Sequence, residues 1–150
     1  MIDIRPATPH DAHDLAELRW EFRTGRGPAA EEHDAFIRRC AEWMRRELAA
    51  ESWRAWVAVA EGRIVGHAWL GTIAKIPNPV VEQERHGYIS NVYVMPAVRG
   101  GVGTRLLQTA LAWARENGVD RVILWPTARS TTLYARHGFA RNLEVMELAL

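Results

Sequence analysis

Lysine and cysteine are nearly missing from this 150-residue chain, with Lys75 and Cys40 the only example of each. A lone cysteine excludes an internal disulfide framework and fits a reducing cytosol, so a cytoplasmic location is expected. Arginine carries almost all of the positive charge, a bias that follows genome composition as readily as function. An excess of charge of one sign is also lacking. The net charge is +1, which argues against bulk nucleic-acid binding and against attachment to an anionic membrane. No apolar run is long enough to span a bilayer, and the opening Met1 to Pro6 has no apolar signal core. Internal repeats, low-complexity stretches and linkers are absent too.

What is there is ordinary in amount. The chain is 48% hydrophobic and 25% charged, as a soluble globular protein is, and its length suits one domain, 1–150, with a sizeable core. Seven tryptophans are many for this length, and they serve either as core mass or as cleft walls.

Periodicity divides the chain. Ile2 to Arg5 alternates and ends at Pro6, as a first strand does. Thr8 or Asp11 is a candidate cap for a helix with Ala12, Leu15, Leu18 and Phe22 on one face. Gly25 to Pro28 breaks it. A second helix reads from Glu31, with Ile37, Cys40, Met44 and Leu48 aligned, which makes Cys40 a core residue. Trp56 to Ala60 and Arg63 to Ile73 flank Glu61-Gly62 as a hairpin. Ile76 to Val80 reads as a loop, and Gly87 to Met95 as the central strand. The helix from Gly103 carries Leu106, Leu107, Ala110, Leu111 and Ala114 at helical spacing and stops at Asn117-Gly118. Val122 to Trp125 reads as a strand covered on both faces. Arg129 to His137 is a short helix, and Phe139 to Leu150 resumes strand character. The order β, two helices, then β-β-β-α-β-α-β contains one parallel crossover, joining 88–95 to 121–125. His10 and His13 have i, i+3 spacing but no third ligand, so they read as surface residues and no metal is expected.

The chemistry lies at Arg99-Gly-Gly-Val-Gly-Thr104, where a strand gives way to a helix through a glycine turn. Glycines let backbone N–H groups approach an anion, and the first turn of a helix has N–H groups without partners. A triphosphate loop needs lysine then Ser or Thr at the helix start, where this chain has Thr104-Arg105. A dinucleotide turn needs a third glycine where this chain has Leu106. What survives is a pyrophosphate-sized anion site. The bland alternative is a tight turn with no ligand. A second feature is Leu133-Tyr-Ala-Arg-His-Gly-Phe139, whose Tyr134 can point back toward the crossover strand or rest half-buried in the core.

Together with the opening Ile4-Arg-Pro-Ala-Thr-Pro-His-Asp-Ala12, these motifs resemble the GNAT superfamily of acyl-CoA-dependent N-acyltransferases. The resemblance covers essentially the whole chain in element order. It implies an α/β (α+β) fold with a mixed, mostly antiparallel sheet in which one parallel strand pair splays apart. It implies acetyl-CoA as cosubstrate, its pantetheine arm against the backbone of Val92, Tyr93 and Val94. Arg99, Gly100, Gly101, Val102, Gly103 and Thr104 would hold the pyrophosphate, and Tyr134 would sit near the thioester sulfur as catalytic acid. Three departures stand out. The turn is one residue short, so Val98 rather than Arg99 occupies its first place. The asparagine common before the tyrosine helix is Thr127, with Ser130 three residues on; either hydroxyl is a candidate coenzyme contact. Where many members carry a glutamate base, this chain has Ser90 and Asn91, and only Glu84 and His86 stand nearby.

The implied reaction is acetyl transfer to a primary amine of a small molecule or peptide by direct attack in a ternary complex. The alternative is a non-catalytic acyl-CoA-binding sensor or regulatory module. The acceptor pocket is expected from residues 20–40 and 70–90, with Trp20, Phe22 and Tyr88 as candidate walls. The expected partners are the amine acceptor and, as a family-level guess, a second copy in a homodimer, with no nucleic acid and no membrane.

Overall fold

The structure is a computed structural model and describes residues 1–142 and 144–150. Five strands form one sheet in the order β1-β2-β3-β4-β5. These are β1 (Ile2–Pro6), β2 (Trp53–Ala60), β3 (Arg63–Ala74), β4 (Arg85–Val94) and β5 (Val119–Ile123). The first three pairings are antiparallel, and β4 and β5 run parallel. The helices are α1 (Ala12–Thr24), α2 (His33–Ala50), α3 (Val102–Glu116) and α4 (Thr131–Arg136). The expected mixed sheet with one parallel pair is therefore what the chain forms. The strand-helix-strand unit β4-α3-β5 is its single crossover.

Each face of the sheet has its own core, because strand side chains alternate. Ala55, Val57 and Trp69 point to α1 and α2, where Leu15, Ala16, Ile37 and Met44 meet them. Trp56, Ala58, Ala68, Leu70 and Ile89 point to α3, where Val102, Leu106, Leu107 and Ala110 meet them. The central strand is β3 rather than the expected 87–95, which falls on β4, fourth in the order; β3 is buried from Val65 to Gly71 because it is covered on both sides. The hairpin turn is the one the sequence indicates. Glu61 (φ 49) and Gly62 (φ 76) are both left-handed, as a two-residue turn matched to strand twist requires.

Two expectations fail at the far edge. Val122 to Trp125 is not covered on both faces. β5 ends at Ile123, it is the edge strand, and Trp125 is 62% exposed. Nor does Phe139 to Leu150 form a strand among the described residues, where Val145, Met146, Leu148 and Leu150 are exposed. Apolar content made that stretch look like a strand, but Val145 is its one β-branched residue. A strand also needs a partner to accept its hydrogen bonds. Smaller differences are at element ends. Helix α2 begins at His33 rather than Glu31, and β4 begins at Arg85, which takes His86 out of the loop and into the strand.

Candidate active site

β4 and β5 pair only from Arg85↔Val119 to Tyr88↔Ile123. Beyond that, β4 continues for six more residues, 89–94, with no strand on its β5 side among the described residues. The chain then makes a single 3-10 turn at Pro96–Val98 and enters the glycine turn. Gly100 (φ 131) and Gly101 (φ 88) both have backbone conformations that side chains disfavour, and an added Cβ on either would meet nothing within 4 Å. The turn is thus shaped by the backbone and open on its outer side.

Helix α3 starts at Val102, one residue earlier than its periodicity suggested, and Gly101 at its N-cap has no side chain to bond the first N–H groups. Arg105 N–H is the first to find a helical acceptor, Gly101 C=O at 3.0 Å. The N–H groups of Val102, Gly103 and Thr104 precede it without intrahelical partners, next to the positive end of a fifteen-residue helix. This donor set fits an anionic group such as a pyrophosphate. The Val102 side chain is buried in the core below, so only its backbone faces the turn. Arg99 is exposed and has no carboxylate partner among the described residues.

Three motif pieces meet at Gly103. A Cβ there would lie 3.8 Å from Val94 on β4 and 3.9 Å from Leu133 on α4. Tyr134, next to Leu133, packs with Val92 and Val94 against the α3-side core and stacks edge-on with Phe139 at 5.6 Å. Burial raises its pKa, so the phenol is protonated at neutral pH. Its hydroxyl has no hydrogen-bond partner among the described residues. Ser130 is differently engaged. Its hydroxyl and that of Thr127 bond each other at 2.9 Å, and the Ser130 hydroxyl also accepts from Thr127 N–H at 2.9 Å. These two residues tie down the start of α4.

On the other face lies a cluster the sequence did not point to. The β3–β4 register skips between His67 and Trp69, so Asn91 and Val92 together oppose Ala68. Asn91 is the hinge of this bulge, in the left-handed region at φ 59, which asparagine tolerates better than most residues. Its amide orientation follows from its neighbours. Trp69 Nε1–H, which can only donate, bonds His67 Nδ1 at 2.9 Å. Nδ1 is therefore an acceptor, and it also receives a longer contact from Asn91 Nδ2 at 3.4 Å. Asn91 Oδ1 in turn accepts from Arg19 Nη1 at 3.1 Å. His67 is fully buried, and burial, reinforced by Arg19, lowers its pKa to about 3. It carries its proton on Nε2, which has no partner, and its other nitrogen is occupied, so it is not a base. The signal for this cluster was a lone polar residue, His67, inside an apolar strand run.

The candidate acceptor walls separate. Trp20 packs between the helices against His33 and Phe36. Phe22 stacks on Tyr93 at 5.1 Å, and Tyr88 lies between Trp53 and Trp125. A groove of about 410 Å³ between α1 and α2 is lined instead by Arg19, Phe36, Cys40, Trp43 and neighbours. Glu84 is exposed in the loop before β4, and His86 is half-buried in the strand.

A sequence profile described as the acetyltransferase (GNAT) family matches residues 12–139. No curated protein matches the chain. Among solved structures, a predicted acetyltransferase from Clostridium acetobutylicum, solved with acetyl-CoA, superposes with a TM-score of 0.84 at 24% identity, over 99% of this chain and 96% of the other. A GCN5-related N-acetyltransferase from Ralstonia eutropha JMP134 gives 0.81 at 28% identity over 99% of both chains. An acetyltransferase from Trypanosoma brucei gives 0.73 at 25% identity over 100% of both. The matched residues include the parallel strand pair, the glycine turn and the tyrosine helix, and by that match this chain belongs to the acetyltransferase (GNAT) family.

Proposed function

We propose that this chain, as one domain, transfers the acetyl group of acetyl-CoA to a primary amine of a small molecule or peptide by direct attack in a ternary complex. One observation carries the reading. The half of β4 with no strand on its β5 side among the described residues, 89–94, leads through the glycine turn into the uncapped start of α3. An extended donor with a pyrophosphate at one end and a thioester at the other matches that sequence of features. The backbone of Val92, Tyr93 and Val94 would bond the pantetheine arm. Arg99, Gly100, Gly101, Val102, Gly103 and Thr104 would hold the pyrophosphate, chiefly through N–H groups. Ser130 would contact the coenzyme only by sharing a hydroxyl already bonded to Thr127.

Acetyl-CoA supplies an activated acyl carbon and a thiolate leaving group. The chain supplies position, which in ideal cases is worth roughly 7–11 kcal/mol. A backbone N–H of the open stretch polarises the thioester oxygen. Tyr134 donates a hydrogen bond to the departing sulfur, a role suited to a phenol that burial keeps protonated. With Ser90 and Asn91 in place of a strand carboxylate, the amine attacks already neutral and its proton leaves to water. That same lack favours the second reading, a non-catalytic acyl-CoA-binding module.

The deciding experiment is release of free thiol from acetyl-CoA with a panel of amines, alongside calorimetry of coenzyme A binding. Amine-dependent release supports the transferase. Binding without release supports the module. Absence of binding sinks both.

A further inference from the structure

All but two of the arginines are exposed; the half-buried ones are Arg54 and Arg19. Arg54 pairs with Glu51 at 3.3 Å and stacks over Trp113. Among the described residues Arg19 has no carboxylate partner at all. Its one side-chain bond is Nη1 to the Asn91 amide oxygen, which leaves Nε and Nη2 without a protein acceptor. The charged residue of α1 that acts on it is Arg23, another cation. A partly desolvated guanidinium is costly unless an anion answers it.

Arg19 also lines the groove between α1 and α2. There it meets Arg39, Arg46 and a single carboxylate, Glu42, with Phe36 and Trp43 as aromatic walls. Arg39 is already held by Glu31, and Arg46 by Glu47 at 3.5 Å. Arg19 is therefore the cation in this groove that lacks an anion. The volume, about 410 Å³, is that of a small-ligand site. Through Asn91 the guanidinium is tied to the bulge in β4, within the stretch 89–94 that pairs with β3 but has no strand on its β5 side among the described residues. One residue thus joins an anion-seeking groove to the strand where the thioester would lie. The chain of bonds Trp69–His67–Asn91–Arg19 fixes its direction, since Trp69 can only donate.

We propose that the acceptor is a small amine of amino-acid type, carrying an anionic group a few bonds from the nitrogen, and that Arg19 binds this group in the α1–α2 groove. The proposal rests on the acetyltransferase reading and names its substrate class. The two free N–H directions of the guanidinium suit a carboxylate held bidentately, and a phosphate has the same chemistry. The aromatic walls favour an apolar body between amine and solvent.

The test uses matched amines with the intact protein: phenylalanine with phenylalaninamide for the carboxylate arm, and phosphoethanolamine with ethanolamine for the phosphate arm. Thiol release should be about 10–100-fold higher in kcat/KM for the anionic member of at least one pair, as expected for a charge-assisted bond. Arg19→Gln keeps an N–H for Asn91 but removes the charge. It should lower kcat/KM for the anionic amine by about the same factor, mainly through KM, and change the neutral partner less than about twofold. Arg19→Lys should recover part of the loss. Calorimetry of N-acetylphenylalanine and its amide on the coenzyme A complex reads the same preference without turnover. Equal use of charged and neutral members, or an Arg19→Gln loss shared by both, overturns the proposal. So does the lack of any Arg19-dependent difference in the binding assay. If coenzyme A itself fails to bind the wild-type protein, the acetyltransferase reading falls with it. If coenzyme A binds and neutral amines are acetylated as well as acids, only this inference falls.

Discussion

At the scale of single residues, Tyr134 and His67 make opposite demands. Tyr134 is half-buried with its hydroxyl unbonded, so the hydroxyl adds little to packing. Tyr134→Phe should keep coenzyme affinity and melting temperature while lowering single-turnover thiol release about 10²–10⁴-fold. Unchanged chemistry would remove Tyr134 from the mechanism and leave catalysis by positioning. His67 acts on stability. Its folded pKa, about 3, lies below the ordinary histidine value because it is fully buried. Below about pH 6.5 the unfolded chain takes up a proton that the native state refuses, so stability falls as pH drops from about 6.5 toward 3, by roughly 1.4 kcal/mol per pH unit. Asp11 adds to this lower down. The bidentate bond from Arg5 holds its pKa at about 2, so its contribution is complete above the usual carboxylate range and is lost as pH falls through that value. Urea melts at pH 7, 5.5 and 4.5 should show the slope, and His67→Gln should flatten its upper part. The sequence made Tyr134 and the glycines legible because their motif is local. Arg19, His67 and Asn91 are separated by up to 72 residues, and only the fold brings them together.

At the scale of elements, α3 was the easiest to read and carries the most consequence. Its stripe of Leu106, Leu107, Ala110 and Ala114 follows one helical face, and all four are buried. Leu107 is fully buried against the sheet, so Leu107→Ala should cost about 2–5 kcal/mol in a denaturant melt, through lost transfer energy and a residual cavity. The same helix opens the proposed anion site, and here the two glycines differ. Gly101 needs its left-handed backbone, so any side chain there adds strain. Gly103 has an ordinary backbone and only van der Waals contact around an added Cβ. Gly103→Glu should therefore fold, and its carboxylate should repel the pyrophosphate. Calorimetry should find coenzyme A affinity reduced by at least tenfold; unchanged affinity in the folded variant would falsify the site. The far edge of the sheet was read less well. Val122 to Trp125 has the apolar run of a covered strand, and 139–150 has the apolar content of its neighbour. Whether an apolar run is paired depends on what lies beside it, which composition does not encode.

At the scale of the whole molecule, the sheet separates two tasks. In the proposed reading, the α3 face and the open half of β4 form the coenzyme side and the α1–α2 face the acceptor side; the two faces have separate cores. The fold class was legible because helical and strand periods alternate clearly, and the glycine turn marks the one parallel crossover. The three candidate acceptor walls do not share one pocket, since Trp20, Phe22 and Tyr88 each pack against different aromatic neighbours, an arrangement that only the fold determines. This division makes a thermodynamic prediction. A ligand that binds only the native state at a hundred times its Kd adds about 2.7 kcal/mol of stability. For a chain of this length each kcal/mol raises the melting temperature by about 2–4 °C, so saturating coenzyme A should raise it by about 5–11 °C. Arg19→Gln lies across the sheet from the anion site and should keep the full shift. Tyr134→Phe loses a bond needed only as the thiolate forms, so it should keep the shift as well. Gly103→Glu should lose most of it. A shift of equal size in all four proteins would mean that coenzyme A stabilises the fold from somewhere other than the start of α3. A loss in Arg19→Gln alone would place the coenzyme on the α1–α2 face and reverse the assignment of the two sides.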